Sequence, residues 1–421
     1  MKTNLASTIN SCRACGEKSL IPIISLGRQY ISNFIDDDYI YKDEEKVPLE
    51  LVLCNPNSTG CGLLQLKHTT SRILLYKQYW FRSGLNETMR EALRDITQKA
   101  EKLVKLSPSD IVLDIGCNDG TLLRSYKSKC KLVGFEPANN LIKEAKEDTD
   151  IIINDFFSFN IFEKHFDGLK CKIITSVAMF YDLDDPNSFV RDVVKCLAYD
   201  GIWIIQMAYL QPMLKLNAFD NIGHEHLEYY SFKSLKNLLE KYNLEIFNVE
   251  MNEVYGGSFR VYVKHSKNKS ISVLSSVTNL ERDEKEFGFD DKKTYEDFAM
   301  RVKNIKNRLY NFIQDETKKG KIVYAYGAST KGNTLLQYCN LDSTLIKKAA
   351  DRDPIKHGKK TIGTEILIIS EEQARLEKPD YFLILPWHLL NYFKQREKEF
   401  LNKGGKFIVP LPEFKIVDSS N

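Results

Sequence analysis

A chain of 421 residues with 43% hydrophobic and 28% charged residues is composed like a soluble globular protein, and it is too long for one compact core. The formal balance of +3 is too small to imply a polyanionic partner, so nucleic-acid binding is not expected. No apolar run is long enough to span a bilayer, and the first ten residues carry no apolar export core. The expected setting is therefore the cytoplasm. There, nine cysteines argue for thiols and a metal site over disulfides.

Cys12 and Cys15 stand in Ser-Cys-Arg-Ala-Cys-Gly, and Cys54 and Cys61 flank a spacer of turn formers. Each pair has a glycine just after its second cysteine, the layout of a zinc knuckle. Four thiolates in tetrahedral geometry suit a closed structural zinc. Four reduced, half-buried thiols are the alternative. A closed site leaves no position for a substrate, so the metal's expected role is in folding. Residues 1–70 read as a small, turn-rich, metal-stapled module. A connecting helix is expected near 86–106, where Met89, Leu93, Ile96 and Leu103 recur at helical spacing.

Residues 112–120 read Val-Leu-Asp-Ile-Gly-Cys-Asn-Asp-Gly, an apolar strand running into a glycine-bracketed turn, with a helix expected through Thr121, Leu122 and Leu123. A second apolar run ends at Glu136. A carboxylate at the tip of a second strand is where a doubly wound sheet holds ribose hydroxyls, so a nucleoside-containing cofactor is expected. The dinucleotide fingerprint is not matched. An acidic residue, Asp114, before the turn suits a positively charged ligand better than a diphosphate. The segment resembles the glycine-rich loop of class I S-adenosylmethionine-dependent methyltransferases. That resemblance brings Asp114 and Gly116 to the methionine end, with Asn118 and Gly120 completing the turn. It brings Glu136 to the ribose, and Asn154 and Phe156, after a third strand at 151–153, to the adenine.

Further strands at 172–176 and 201–207, with a helix at 189–197 between them, extend a parallel sheet. A helix at 233–242 and strands at 244–252 and 258–264 close a domain spanning 71–265. Just beyond the fifth strand, residues 219–231 hold two of the seven histidines together with carboxylates and two tyrosines. His224-Glu225-His226 offers an imidazole that takes a proton near neutral pH and a carboxylate to orient it. A metal site is the competing reading, but no third ligand is evident. Ser231 also reads as a helix N-cap. Residues 266–320 are charged and helical. A second Rossmann-like α/β unit follows, with strands at 321–326, 346–351, 381–385 and 406–409, a turn at 327–333 and a helix starting at 334. The region 266–421 is read as one C-terminal unit, and two separate α/β units leave room for a second ligand between them.

The order of these parts, and several motifs, resemble the nucleotide-sugar C-methyltransferases that act on keto-deoxysugars. The motifs are Cys61-Gly-Leu-Leu-Gln-Leu, Ser83-Gly, His224-Glu225-His226 before Tyr229-Tyr230-Ser231, Gly256-Gly257-Ser258-Phe-Arg260, Tyr326 through Thr334, and Pro386-Trp387. The resemblance implies a nucleoside-diphosphate keto sugar as partner and methylation at C-3 of a 4-keto sugar through an enolate. It makes His226 the base, with Glu225 and His224 orienting it or stabilising the enolate. Ser329, Lys331 and Asn333 sit where a helix N-terminus and a cation grip a diphosphate. Arg260 and Arg352 are further anion contacts. The chain departs from its relatives at Gly223, at Phe81 and at Phe180-Tyr181-Asp182, where some carry tyrosine, tyrosine and histidine. Tyr79 and Tyr181 are the expected replacements. O-methylation of a sugar or other small acceptor is the runner-up, and a zinc-ribbon interaction protein without catalysis the third reading. Monomer and dimer are both open.

Overall fold

The computed structural model describes residues 5–420. Its central sheet has seven strands, in the order Leu244–Asn252, Ser258–His265, Leu197–Ala208, Cys171–Val177, Ile111–Ile115, Lys131–Phe135, Ile151–Ile153. Every pairing from Leu197–Ala208 to Ile151–Ile153 is parallel. Ser258–His265 runs against both of its neighbours. Ile111–Ile115 is buried throughout, as a parallel strand covered on both faces must be. The chain winds outward from it in one direction and then the other. The crevice at its C-terminal end is therefore the topological switch point where such sheets bind ligands. A seven-stranded sheet with one reversed strand next to the edge is the class I methyltransferase fold.

The connecting helix spans Glu87–Leu103, capped by Asn86, whose side chain accepts the Thr88 N–H. Beyond the central sheet, Ser275–Phe287 and Lys292–Lys318 are helices. The second buries Tyr295, Phe298, Val302, Ile305, Leu309 and Ile313, an apolar stripe at three- and four-residue steps. The C-terminal sheet is parallel through Leu367–Ser370, Lys348–Asp351, Val323–Tyr326, Tyr381–Ile384 and Lys406–Val409.

Three local expectations fail. The N-terminal module is built on long antiparallel strands, Leu20–Tyr30 paired with Lys46–Cys54. Its turn formers are confined to the cysteine loops, and Leu49, Leu51 and Leu53 alternate into the core. The turn after Ile111–Ile115 leads only to a single 3-10 turn, Leu123–Ser125, rather than a helix. Asp119 there takes the Thr121 N–H at 3.1 Å and its hydroxyl at 2.6 Å, which fixes a local turn. The helix expected from Thr334 starts at Thr330, because Ser329 caps it by accepting the Gly332 N–H at 3.0 Å.

Two strands cross between units. Glu228–Tyr229, from the His-Glu-His segment, pairs with Leu64–Leu66 of the N-terminal sheet. Phe34–Ile35 of the N-terminal module pairs with Lys360–Thr361 at the edge of the C-terminal sheet.

Candidate active site

A cavity of about 730 Å³ opens at the switch point and reaches across to the C-terminal unit. Asp114, Gly116, Asn118, Glu136 and Phe156 line one end of it. Gly116 has φ +75, and a Cβ there would press on Met179 at 3.2 Å, so the close approach of backbone requires glycine. Glu136 accepts the Asn118 and Ala138 backbone N–H groups, each at 2.8 Å. Each of its oxygens keeps a further lone pair, the acceptors that two ribose hydroxyls need. Burial pushes its carboxyl upward, against those two hydrogen bonds. Burial also raises Asp114 to about 7, although the Thr175 hydroxyl, at 2.6 Å, holds it down. A cationic group beside Asp114 would restore its charge, so the site fits a ligand bearing an ammonium or sulfonium. The Arg72 guanidinium lies 4.4 Å from the centre of the Phe156 ring and extends a flat surface at that end.

Glu225 and His226 line the same cavity. The His226 Nδ1 lies 2.7 Å from the Asn221 carbonyl oxygen. That nitrogen therefore carries the proton, and Nε2 is left as the basic atom, 3.9 Å from Glu225. Burial, helped by the Lys331 charge, depresses the imidazole to about 4, so it is neutral at pH 7. The Tyr181 ring meets His226 edge-on at 4.7 Å, and the Tyr181 carbonyl accepts the Leu227 N–H at 2.8 Å. These contacts lock the loop to the end of the fourth strand.

Lys331 reaches in from the C-terminal unit, and its Nζ lies 2.5 Å from the Asn221 Oδ1. Burial lowers its ammonium, while Asp220 and Glu225 pull it back up. Ser329, Tyr79 and Phe81 also line the cavity. Of the departures noted in the sequence, Gly223 leaves open space: a Cβ there would touch only the Glu225 Cγ, at 4.0 Å.

Several expected site residues lie elsewhere. His224 bonds the Val47 carbonyl at 3.0 Å and sits outside the cavity lining, against the N-terminal sheet. Its neighbour two residues on faces the cavity because the turn at 223–226 points the two imidazoles apart. Arg260 faces the connecting helix and pairs with Asp95 at 2.8 Å and Glu250 at 3.4 Å. Arg352 is exposed and outside the lining. Asn333 is buried and donates to the Asn33 carbonyl at 2.9 Å, which ties the N-terminal module to the helix. Asn154 donates to the Glu136 carbonyl at 2.9 Å and holds the strand tips together. Gly120 packs under the turn, where a Cβ would meet the Ala145 carbonyl at 2.9 Å. Among residues that sequence reasoning passed over, Tyr76, Asp182, Asp220 and His388 line the cavity. Asp182 lies within the quoted Phe180-Tyr181-Asp182 segment, though without a role there, and His388 adjoins Pro386-Trp387. Asp220 lies within the 219–231 segment, and nothing in the sequence marked Tyr76.

The four sulfurs of Cys12, Cys15, Cys54 and Cys61 all lie within 4.8 Å of one another. Cys12 and Cys61 are 3.7 Å apart, and Cys15 and Cys54 are 3.4 Å apart. A zinc ion with bonds of about 2.3 Å in a tetrahedron sets its sulfurs about 3.8 Å apart, so the group fits zinc and makes no disulfide. All four ligand positions are taken by protein, and the metal is structural.

Fold and cavity together define a methyltransferase, with S-adenosylmethionine as its cofactor and zinc as its metal. Three family models match in chain order: a zinc-binding domain over residues 12–76, a methyltransferase domain over 85–249 and a C-methyltransferase C-terminal domain over 253–412. The "C-methyltransferase NovU" of Streptomyces niveus is 30% identical over 99% of both chains. The chain belongs to this C-methyltransferase family. Among solved structures, the N-methyltransferase NodS from Bradyrhizobium japonicum is 15% identical, covering 43% of this chain and 98% of its own, with a TM-score of 0.34. The magnesium protoporphyrin IX methyltransferase from Synechocystis with bound SAM is 10% identical, covering 42% and 77%, with a TM-score of 0.31. Among the described residues, no helix is long and apolar enough to cross a membrane.

Proposed function

We propose that the chain methylates a carbon next to a ketone, C-3 of a 4-keto-deoxysugar carried on a nucleoside diphosphate. One observation carries the reading. A neutral imidazole with its basic nitrogen defined, His226, shares a cavity with the cofactor end and with a lysine and a helix N-terminus from the C-terminal unit. S-adenosylmethionine, when bound, supplies an electrophilic methyl group. The chain's own residues do the rest. His226, oriented by the Asn221 carbonyl, takes the acidic proton next to the ketone, Glu225 stabilises the imidazolium that forms, and Lys331 with Ser329 holds the diphosphate. Tyr79 and Tyr181 shape the sugar end. Asp114 and Gly116 hold the methionine end of the cofactor, and Glu136 holds its ribose. The proposed division is a zinc module at 1–70, a methyltransferase domain at 71–265 and a C-terminal Rossmann-like unit at 266–421, working in the cytoplasm.

The test is mass spectrometry after incubation with S-adenosylmethionine and a panel of nucleoside-diphosphate 4-keto-deoxysugars. The expected product is heavier by one methyl, with the label on carbon by NMR. Methylation found only on oxygen, or none with any keto sugar, overturns the proposal.

A further inference from the structure

Asp182 follows the fourth strand, at the end of the 3-10 turn Phe180–Asp182, and lines the cavity. Its Oδ1 is shut off from solvent and has no hydrogen-bond partner. The titratable groups that bear on it come from three neighbouring segments. They are Tyr76 from the short helix Arg72–Tyr76, Glu225 from the His-Glu-His loop, and Glu228 and Tyr229 from the strand that follows. Tyr76 spans the group, since its hydroxyl also donates to the Glu225 carbonyl at 3.1 Å. The turn and the loop cannot drift apart, because the Tyr181 carbonyl holds Leu227 and the Tyr181 ring rests on His226.

Two carboxyls, Asp182 and Glu225, thus share one desolvated cavity, and their surroundings differ. Burial raises Glu225 as well, but the Lys331 ammonium opposes that rise and favours its charge. Burial first, and then the nearby Glu225 and Glu228 carboxylates, push Asp182 well up, against a hydrogen bond with Tyr76. Like charges in a desolvated site do not both ionise, and the one beside the cation keeps the charge. Asp182 is consequently the carboxyl that retains its proton. A neutral carboxylic acid in the lining of the cavity is a strong hydrogen-bond donor.

We propose that Asp182 is a further catalytic residue, the carboxylic acid that donates a hydrogen bond to the acceptor's ketone oxygen while His226 removes the neighbouring proton. The inference rests on the keto-sugar reading above. In the step, the C–H bond next to the ketone breaks and its electron pair becomes the enolate double bond. The carbonyl π pair moves onto oxygen, where the Asp182 O–H meets it, and the proton goes to the His226 Nε2. Asp182 keeps its own proton throughout. The step runs backward by return of a proton from His226, so in deuterated water it exchanges that hydrogen with no cofactor present.

The test is hydrogen–deuterium exchange at that carbon, followed by NMR without S-adenosylmethionine. The substrate is whichever nucleoside-diphosphate 4-keto-deoxysugar the wild-type enzyme methylates. Asp182→Ala is expected to slow exchange about 100- to 1,000-fold, the usual loss for one oxyanion donor. Asp182→Asn, which still offers an N–H, is expected to stay within about tenfold of wild type. Calorimetric binding of S-adenosylmethionine, expected to match wild type for both variants, checks the fold. In wild type, exchange is expected to fall at high pH as Asp182 ionises, and in Asp182→Asn that fall is expected to be gone. Exchange in Asp182→Ala within about threefold of wild type overturns the assignment, and so does a high-pH fall that survives in Asp182→Asn. A wild type that methylates none of these sugars defeats the keto-sugar reading itself, a distinct outcome, and one that methylates but shows no exchange overturns the proton-removal step in which Asp182 is placed.

Discussion

Arg260→Ala separates a structural arginine from a substrate-binding one. The side chain is 3% exposed, and its Nε donates to the Gln206 Oε1 at 2.8 Å. Its carboxylate partners, Asp95 and Glu250, are 47% and 30% exposed, and Lys99 also reaches them, at 3.0 and 2.7 Å. Neither carboxylate would be orphaned, so each ion pair contributes no more than about 1 kcal/mol. Gln206 is fully buried and would keep Asn252 at 3.3 Å, a weak replacement. Losing a charged donor to a buried acceptor costs about 1.5–3 kcal/mol, and relief of the buried guanidinium offsets part of the total. The expected loss is about 2–3 kcal/mol, read as a lower urea midpoint with an unchanged slope. The KM for the proposed nucleotide-sugar substrate is expected to stay within about twofold. An unchanged midpoint with a KM raised tenfold or more would refute this reasoning and return Arg260 to the substrate.

Chelation of zinc is expected to leave the central sheet largely intact while the N-terminal sheet becomes protease-sensitive. Zinc should restore it, and retention of full protection after metal removal would rule out a structural role. His226→Asn is expected to abolish methylation and hydrogen exchange while calorimetry still shows cofactor binding; turnover within tenfold of wild type would remove it as base. Glu136→Ala is expected to weaken S-adenosylmethionine binding about 100-fold in calorimetry, from loss of charged hydrogen bonds. His224, His226 and His388 are all held near 4 by burial, below the 6.5 of a free imidazole. At these three sites the unfolded chain binds more protons than the folded one between those values, so their share of the stability is full above about 6.5 and is lost as pH falls toward 4, while Asp114, raised to about 7, contributes the opposite slope. Urea midpoints of His224→Asn against wild type across that window check the sign: the variant is expected to lose less stability on acidification, and an equal or larger loss contradicts it.

The cofactor end was legible because its signals are local. Asp114, Gly116 and Glu136 are spaced by the geometry of strand, turn and strand, and the structure brings them to one cavity wall. The four cysteines were legible because thiolates in pairs have few other uses. The far end was not. His224 and His226 look equivalent in sequence, and only the turn at 223–226 decides that one meets Val47 and the other the cavity. Arg260 sits in a motif shared with relatives, yet its strand direction turns it toward the connecting helix. Asp182 and Tyr76 carry no local signature, because their setting is made by segments more than forty residues away in the chain. Leu20–Tyr30 was hidden by its neighbours: turn formers crowd the cysteine loops, and the alternation that marks a strand lies between them.

The strands that cross between units set the order in which this protein is completed. Phe34–Ile35 leaves the ribosome early but has its strand partner in Lys360–Thr361, and Asn33 is held by Asn333, 300 residues further on. Leu64–Leu66 likewise waits for Glu228–Tyr229. A segment made first thus finishes its pairing last, and its loop-closing contacts are among the slowest the chain makes. During synthesis the N-terminal sheet has an open edge and the cysteine loops are the part that can be fixed early, by metal. A chain released before residue 360 is expected to leave Phe34–Ile35 open to proteolysis, whereas the finished chain protects it. The His-Glu-His loop and the far edge of the molecule are in this way joined through one small module.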